Sequence, residues 1–141
     1  MSRFLHVRLG RTWLGLPAEE VDEISALPEV TPLPGGPPYL AGAVAVDGRL
    51  VTVLDPVDAW SLGRDDAPAR RLVRLADATD PLALVAAEVR GVVEGGEVVD
   101  EALTGHDDLR QRTQSVRRCD GLLTWVLAPG ALRSWILELP S

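Results

Sequence analysis

Ten residues of this chain have a counterpart 73 residues further on, and that recurrence constrains the fold more than any other feature. Asp47-Gly48-Arg49-Leu50-Val51-Thr52-Val53-Leu54-Asp55-Pro56 aligns with Asp120-Gly121-Leu122-Leu123-Thr124-Trp125-Val126-Leu127-Ala128-Pro129, and six of the ten positions are identical. Each copy reads as a hairpin turn, a buried strand and a proline-started turn. Asp-Gly suits a two-residue hairpin because both of its central residues must tolerate positive φ, and proline fits the first position of a helical turn. Upstream, Leu16-Pro17-Ala18-Glu19-Glu20-Val21 is similar to Leu84-Val85-Ala86-Ala87-Glu88-Val89. The 141 residues therefore read as two related halves of one domain, large enough to bury a core of its own.

The rest of the chain is short apolar runs cut by turn residues. Leu5, Val7 and Leu9 alternate with His6 and Arg8, as in a half-buried strand, and Gly10-Arg11 turns into Thr12-Trp13-Leu14-Gly15-Leu16. Further strands are expected at Leu40–Val46, Leu50–Leu54, Leu72–Leu75, Leu82–Ala87 and Leu122–Leu127. The fold class is thus all-β, built as small barrels or a sandwich.

Helical signals are few. Asp55-Pro56 can start a short helical turn, with Val57 and Trp60 on one face and Gly63 ending it. Glu19-Glu20 and Asp22-Glu23 flank Val21 and Ile24 on what reads as another helical turn. Leu132, Trp135, Ile136 and Leu139 fall at i, i+3, i+4 and i+7, the spacing of an amphipathic helix. The same stretch also alternates as a strand through Trp135, Leu137 and Leu139; the helix is preferred. Thr31–Pro38 is a proline-rich loop, because proline removes the donors that a sheet interior needs. Gly63–Pro68 reads as the link between the two halves, and Thr104–Ser115 as an exposed polar stretch.

Charge and cysteine content narrow the function. A net charge of −7 argues against nucleic acid, which needs a basic face, and against anionic lipid. The single cysteine, Cys119, allows no internal disulfide and no cysteine cluster for zinc or iron–sulfur. No apolar run reaches the ~18–20 residues of a membrane span, and Met1-Ser2-Arg3-Phe4-Leu5-His6 lacks a signal peptide's apolar stretch. A cytoplasmic location is expected, with no membrane insertion.

Candidate catalytic groups do not assemble into a motif. Cys119 and His106 could be a nucleophile and its base, but they lie apart and neither has a surrounding signature. His106-Asp107-Asp108 lacks a second histidine at metal-ligand spacing. Gly35-Gly36 and Gly95-Gly96 lack the ending of a phosphate loop. No catalytic residue, cofactor or metal is expected. A module of this kind binds other proteins through strand edges or a groove between subdomains. The competing reading is a small β-barrel enzyme or ligand carrier with a pocket around His6, His106 and Cys119.

From Gly15-Leu16-Pro17-Ala18-Glu19-Glu20-Val21-Asp22-Glu23-Ile24 onward the sequence resembles the CheW family of chemosensory coupling proteins. The resemblance continues through Val30-Thr31-Pro32-Leu33-Pro34, Pro38-Tyr39-Leu40-Ala41-Gly42 and Asp47–Asp55. It resumes at Glu88-Val89-Arg90-Gly91-Val92-Val93 and at Asp120-Gly121-Leu122-Leu123 to Pro129, covering about Phe4 to Leu132. The order and gaps of these segments carry the likeness, since no single motif decides it.

The resemblance implies two small five-stranded SH3-like β-barrel subdomains packed on a shared core, with short helical turns and a C-terminal helix. It implies one CheW-like domain over residues 1–141. Subdomain one would cover about residues 12–68 and subdomain two about 69–128, the terminal segments completing the barrels. It further implies an adaptor without chemistry of its own, working at receptor arrays beneath the inner membrane. The adaptor would link the cytoplasmic tip of a chemoreceptor to the regulatory domain of a CheA-type histidine kinase. By position, Val21 and Glu23 match residues that the family uses at contact surfaces, and Val89 and Val92 lie on the matching segment of the second subdomain.

One departure stands out. Where the family has Asn-Leu-Arg-Gly this chain has Ala45-Val46-Asp47-Gly48, so Asp47 replaces an arginine that in the family pairs with the glutamate matched by Glu23. Two carboxylates there would repel, and Arg49 is the nearest candidate to stand in for the lost cation. The alternative function this implies is an adaptor that keeps only one of the two partners, in a specialised pathway.

Overall fold

A computed structural model describes residues 3–76, 81–99 and 106–140. Its strands are β1 (Phe4–Leu9), β2 (Thr12–Pro17), β3 (Val21–Ala26), β4 (Leu40–Val46), β5 (Arg49–Leu54), β6 (Arg71–Leu75), β7 (Leu82–Ala86), β8 (Glu88–Val93), β9 (Glu97–Val98), β10 (Thr113–Cys119) and β11 (Leu122–Leu127). Two short helices, α1 (Asp107–Gln111) and α2 (Ala131–Leu137), complete the set.

Both Asp-Gly pairs turn as their chemistry requires. Asp47 and Gly48 have φ of 49° and 76°, and Asp120 and Gly121 have 50° and 78°. Two successive positive φ values give the turn twist that matches the flanking strands. The closing pairs are Val46 with Arg49 and Cys119 with Leu122, so the two hairpins share one register.

The strands form two sheets, in the orders β3-β6-β7-β5-β4 and β8-β1-β2-β11-β10-β9. The internal repeat matches β1–β5 in turn to β6, β7, β8, β10 and β11. Replacing each strand of the first sheet by its repeat partner reproduces the order of the second, apart from β9. The parallel pair β5–β7 has its counterpart in β11–β2. Each half of the chain therefore contributes three strands to one sheet and a two-stranded hairpin to the other. The subdomains do not divide at residues 68–69, because β6 and β7 lie in the sheet of β3–β5 while β1 and β2 lie with β8–β11. The second sheet carries six strands rather than five, the extra one being the two-residue β9.

Strand alternation sorts the apolar residues into three clusters. Val44, Val51, Val53, Leu72, Ala83 and Val85 fill the five-stranded sheet's own barrel. Phe4, Cys119 and Val126 fill the other. Between them lies a larger shared core holding Leu5, Leu14, Val73, Leu84, Trp125 and Trp135, among others. On β7, Ala83 and Val85 face the barrel while Leu84 and Ala86 face the shared core. Burying each leucine of that core contributes about 1.5–3 kcal/mol.

α2 is a helix because that places Leu132 and Trp135 together on the core; Leu137, which a strand would put on Trp135's face, is 77% exposed. Residues 55–62 do not form an α-helix. They make a compact turn in which the Trp60 N–H donates to the Pro56 carbonyl at 2.8 Å, burying Val57, Trp60 and Leu62. This turn is tied to the β1–β2 turn: the Thr12 hydroxyl donates to the Leu62 carbonyl at 2.6 Å and the Arg11 N–H to the Gly63 carbonyl at 2.8 Å.

Two polar stretches hold more structure than their composition shows. Ala18–Glu20 is a single 3-10 turn, and Asp22 and Glu23 then lie in strand β3 rather than in a helical turn. Within the stretch expected to be exposed from Thr104 to Ser115, α1 buries Leu109 completely and β10 begins at Thr113; Thr104 lies outside the described residues.

Candidate docking surfaces

Val21, Glu23, Asp47 and Arg49 fall at one end of the five-stranded sheet. Val21 begins edge strand β3, half-buried against the shared core and paired with Leu75. Asp47 occupies the β4–β5 turn, and Arg49 is the first residue of β5. Asp22, Asp47, Arg49, Arg74, Leu75 and Leu82 line one shallow cleft of about 260 Å³.

Glu23 does not depend on Asp47 or Arg49. Arg74 of β6, its cross-strand partner, donates directly to the Glu23 carboxylate and reaches Asp22 at 3.4 Å. A cation from the neighbouring strand thus neutralises the glutamate, and the repulsion expected between Glu23 and Asp47 is relieved by Arg74. Sequence reasoning missed Arg74. The signal for it is a single charge interrupting the run Leu72-Val73-Arg74-Leu75 on a strand that pairs with β3.

Val89 and Val92 lie on edge strand β8, the repeat partner of β3. Val89 packs on the shared core opposite Val7, and Val92 is 52% exposed. Its repeat counterpart, Ile24, is 38% exposed. Around β8 the charges are closed by Arg90, which reaches Glu88 at 3.6 Å and Asp120 at 3.8 Å. Arg90 occupies the repeat position of Asp22, and Asp120 that of Asp47. The second repeat therefore has a cation facing its hairpin turn where the first has a carboxylate. The six residues form two related faces, one per sheet, not one site.

A second groove, about 380 Å³, lies between Pro37-Pro38-Tyr39 and the chain's last described residue, Pro140, whose carbonyl accepts from the Tyr39 hydroxyl. Asp55 and Asp58 edge it, and both pair with Arg64, at 2.9 and 2.8 Å. The Arg64 guanidinium holds the Asp58 carboxyl below its usual range.

The three groups of the competing reading do not converge. His6 is fully buried, its Nε2 2.8 Å from the Thr124 hydroxyl and its ring tilted on Trp13. His106 packs on Trp125, with ring centroids 5.6 Å apart. Thr124 and Trp125 are consecutive on β11 and point to opposite faces, so the sheet separates the two histidines. Cys119 is buried with Phe4 and Val126.

A protein-family model, the CheW-like domain, matches residues 3–135. The chain belongs to the CheW-like family. Its fold is similar to the crystal structure of the scaffolding protein TtCheW from Thermoanaerobacter tengcongensis, with a TM-score of 0.71 at 15% identity. That match covers 90% of this chain and 84% of the other. No curated protein matches the chain by sequence. The CheW-like architecture accounts for the two sheets and the shared core; Val21, Glu23, Val89 and Val92 lie on edge strands, Asp47 in a hairpin turn and Arg49 at the start of β5. Among the described residues, no helix is long and apolar enough to cross a membrane.

Proposed function

We propose that this protein is a non-catalytic adaptor that couples chemoreceptor cytoplasmic tips to a CheA-type histidine kinase in a chemotaxis-like array. The observation that carries this reading is the CheW-like match over residues 3–135. The two repeat-related faces supply what such a role needs. The face of β3 and the β4–β5 turn presents Glu23, Asp47 and Arg49, and the face of β8 presents Val89 and Val92. Apolar residues at such surfaces supply affinity, and rim charges supply partner choice and on-rate. Each contact can be weak, since an array gains avidity from many simultaneous ones.

A second reading rests on Asp47 and Arg74. Glu23 already has an intramolecular cation, and the turn carries a carboxylate where the family has an arginine. In this reading the protein keeps one partner and has lost the other. Calorimetry against a kinase regulatory domain and, separately, a receptor tip fragment decides between them. Binding to both supports the coupling role, binding to one supports the specialised adaptor, and binding to neither overturns both.

A further inference from the structure

The reciprocal sharing of strands between the two halves has a structural alternative. Every sheet contact between residues before 63 and residues after 70 can be made by a second copy of the chain as well as by the same copy. In the five-stranded sheet, β6–β7 of the second half is inserted between β3 and β5 of the first. In the six-stranded sheet, β1–β2 of the first half is inserted between β8 and β11 of the second. Only the segment from Arg64 to Ala69 joins the halves covalently, and it contains no strand or helix.

We propose that residues 64–69 act as a hinge through which two copies exchange halves, giving a dimer in which β1–β5 of each chain complete the sheets of the other. This goes beyond the adaptor reading and does not depend on it. The closed monomer and the exchanged dimer bury the same cores and the same Trp60–Trp135 stack. They differ only at the hinge, whose ion pairs, Arg8 with Asp65 and Arg64 with Asp55 and Asp58, all run to the first half. The reach of the hinge allows the exchange. Residues 64–69 can extend about 20 Å at ~3.3–3.6 Å each, enough to bridge two adjacent units. A flexible tether of this length sets an effective concentration in the millimolar range, so dilute chains close on themselves and concentrated ones exchange. Because β7 sits inside its sheet, the two forms interconvert only by unfolding, and the form adopted during folding persists.

The test uses the full chain carrying Cys119→Ala with Ala26→Cys and Arg71→Cys. Ala26 and Arg71 are exposed cross-strand partners from different halves. At antiparallel spacing the two cysteines can form a disulfide. After refolding at micromolar and at roughly millimolar chain, denaturing electrophoresis without reductant reads which chains are linked. The expected result is an intrachain disulfide from the dilute sample and a covalently linked dimer from the concentrated one. Deleting residues 64–67 should shift the linked dimer to micromolar chain. Intrachain disulfides at every concentration in the parent would overturn the proposal, as would a dimer in solution whose disulfides are all intrachain. Should the deletion variant fail to fold, the parent's concentration series decides alone.

Discussion

The indoles of Trp60 and Trp135 stack with their centroids 4.0 Å apart and their planes 11° from parallel. One belongs to the turn after β5, the other to α2, so the stack clamps the two halves across the shared core. Only Trp135 has a polar partner, its Nε1 donating to Asp108 at 3.1 Å; the buried Trp60 Nε1 has none among the described residues. Arg112 lies over the Trp135 ring at 5.1 Å. Trp135→Ala and Trp60→Ala should each cost about 3–5 kcal/mol, with a coupling of about 0.5–1.5 kcal/mol in the double mutant. Trp60→Phe should be tolerated better than Trp135→Phe, because it removes an N–H that is buried without a bond. Urea denaturation of the four single variants and the double mutant checks all of this; a costlier Trp60→Phe would contradict it.

Gly10 and Gly130 both have positive φ, 61° and 80°, but their surroundings differ. A Cβ on Gly10 would sit 2.1 Å from the Gly63 carbonyl oxygen and 2.7 Å from Val57 Cγ1, whereas at Gly130 nothing lies within 4 Å. Gly130→Ala should therefore cost only backbone strain, about 1–2 kcal/mol. Gly10→Ala should cost clearly more, since it also pushes away the turn that Arg11 holds. Equal losses of denaturation midpoint would count against this close approach.

Burial is the main reason that the His6 imidazole is held below its ordinary pKa of 6.5; Arg90 adds to this, while Asp120 and Glu88 oppose it. The unfolded chain then binds the proton more tightly than the folded one. The stability that neutral His6 contributes is complete above pH 6.5 and is lost as pH falls from there towards the lower folded value. Chemical denaturation between about pH 5 and 8 should show this decline, and His6→Gln should flatten it. A slope unchanged in the variant would assign the decline to other groups.

At the β4–β5 turn, Asp47→Arg restores the charge that the resemblance to the family implies. If the specialised reading holds, it should strengthen binding to whichever of the two partners is missing about tenfold, or about 1.4 kcal/mol. Folding stability should fall by up to about 1–2 kcal/mol, since arginine lacks aspartate's tolerance of the left-handed conformation at this turn position. Calorimetry on both variants decides; weaker binding by Asp47→Arg would mean that Asp47 itself makes the contact.

Residues 1–66 and 67–141 should each be unfolded alone and regain sheet structure when mixed, because each lacks the hairpin that fills its own sheet. Circular dichroism of the separate and mixed fragments tests this. A fragment that folded alone would contradict the strand exchange.

Much of this fold was legible because local chemistry dictated it: Asp-Gly turns, alternation in β1 and proline in the loop after β3. β3 itself was hidden. As an edge strand with Asp22, Glu23 and Ile24 all exposed, it carries no buried face to announce a period of two. β10 is equally polar, through Gln114, Arg117 and Arg118, and its only fully buried residue is Cys119. The repeat was visible, yet the partner of each half was not, because pairings such as Arg8 with Glu88 span tens of residues and leave no local trace. For the same reason Glu23 could be picked out while its partner, Arg74, could not.

The placement of β1 and β2 also bears on how the protein is made. Their hairpin leaves the ribosome before both of its neighbours, β8 and β11, and β11 ends at Leu127. At about 5–20 residues per second, the nascent hairpin waits roughly 5–20 s with its edges bare and Leu5, Leu9, Leu14 and Leu16 uncovered. During synthesis this ribbon is a segment for a chaperone to shield until β8 and β11 arrive.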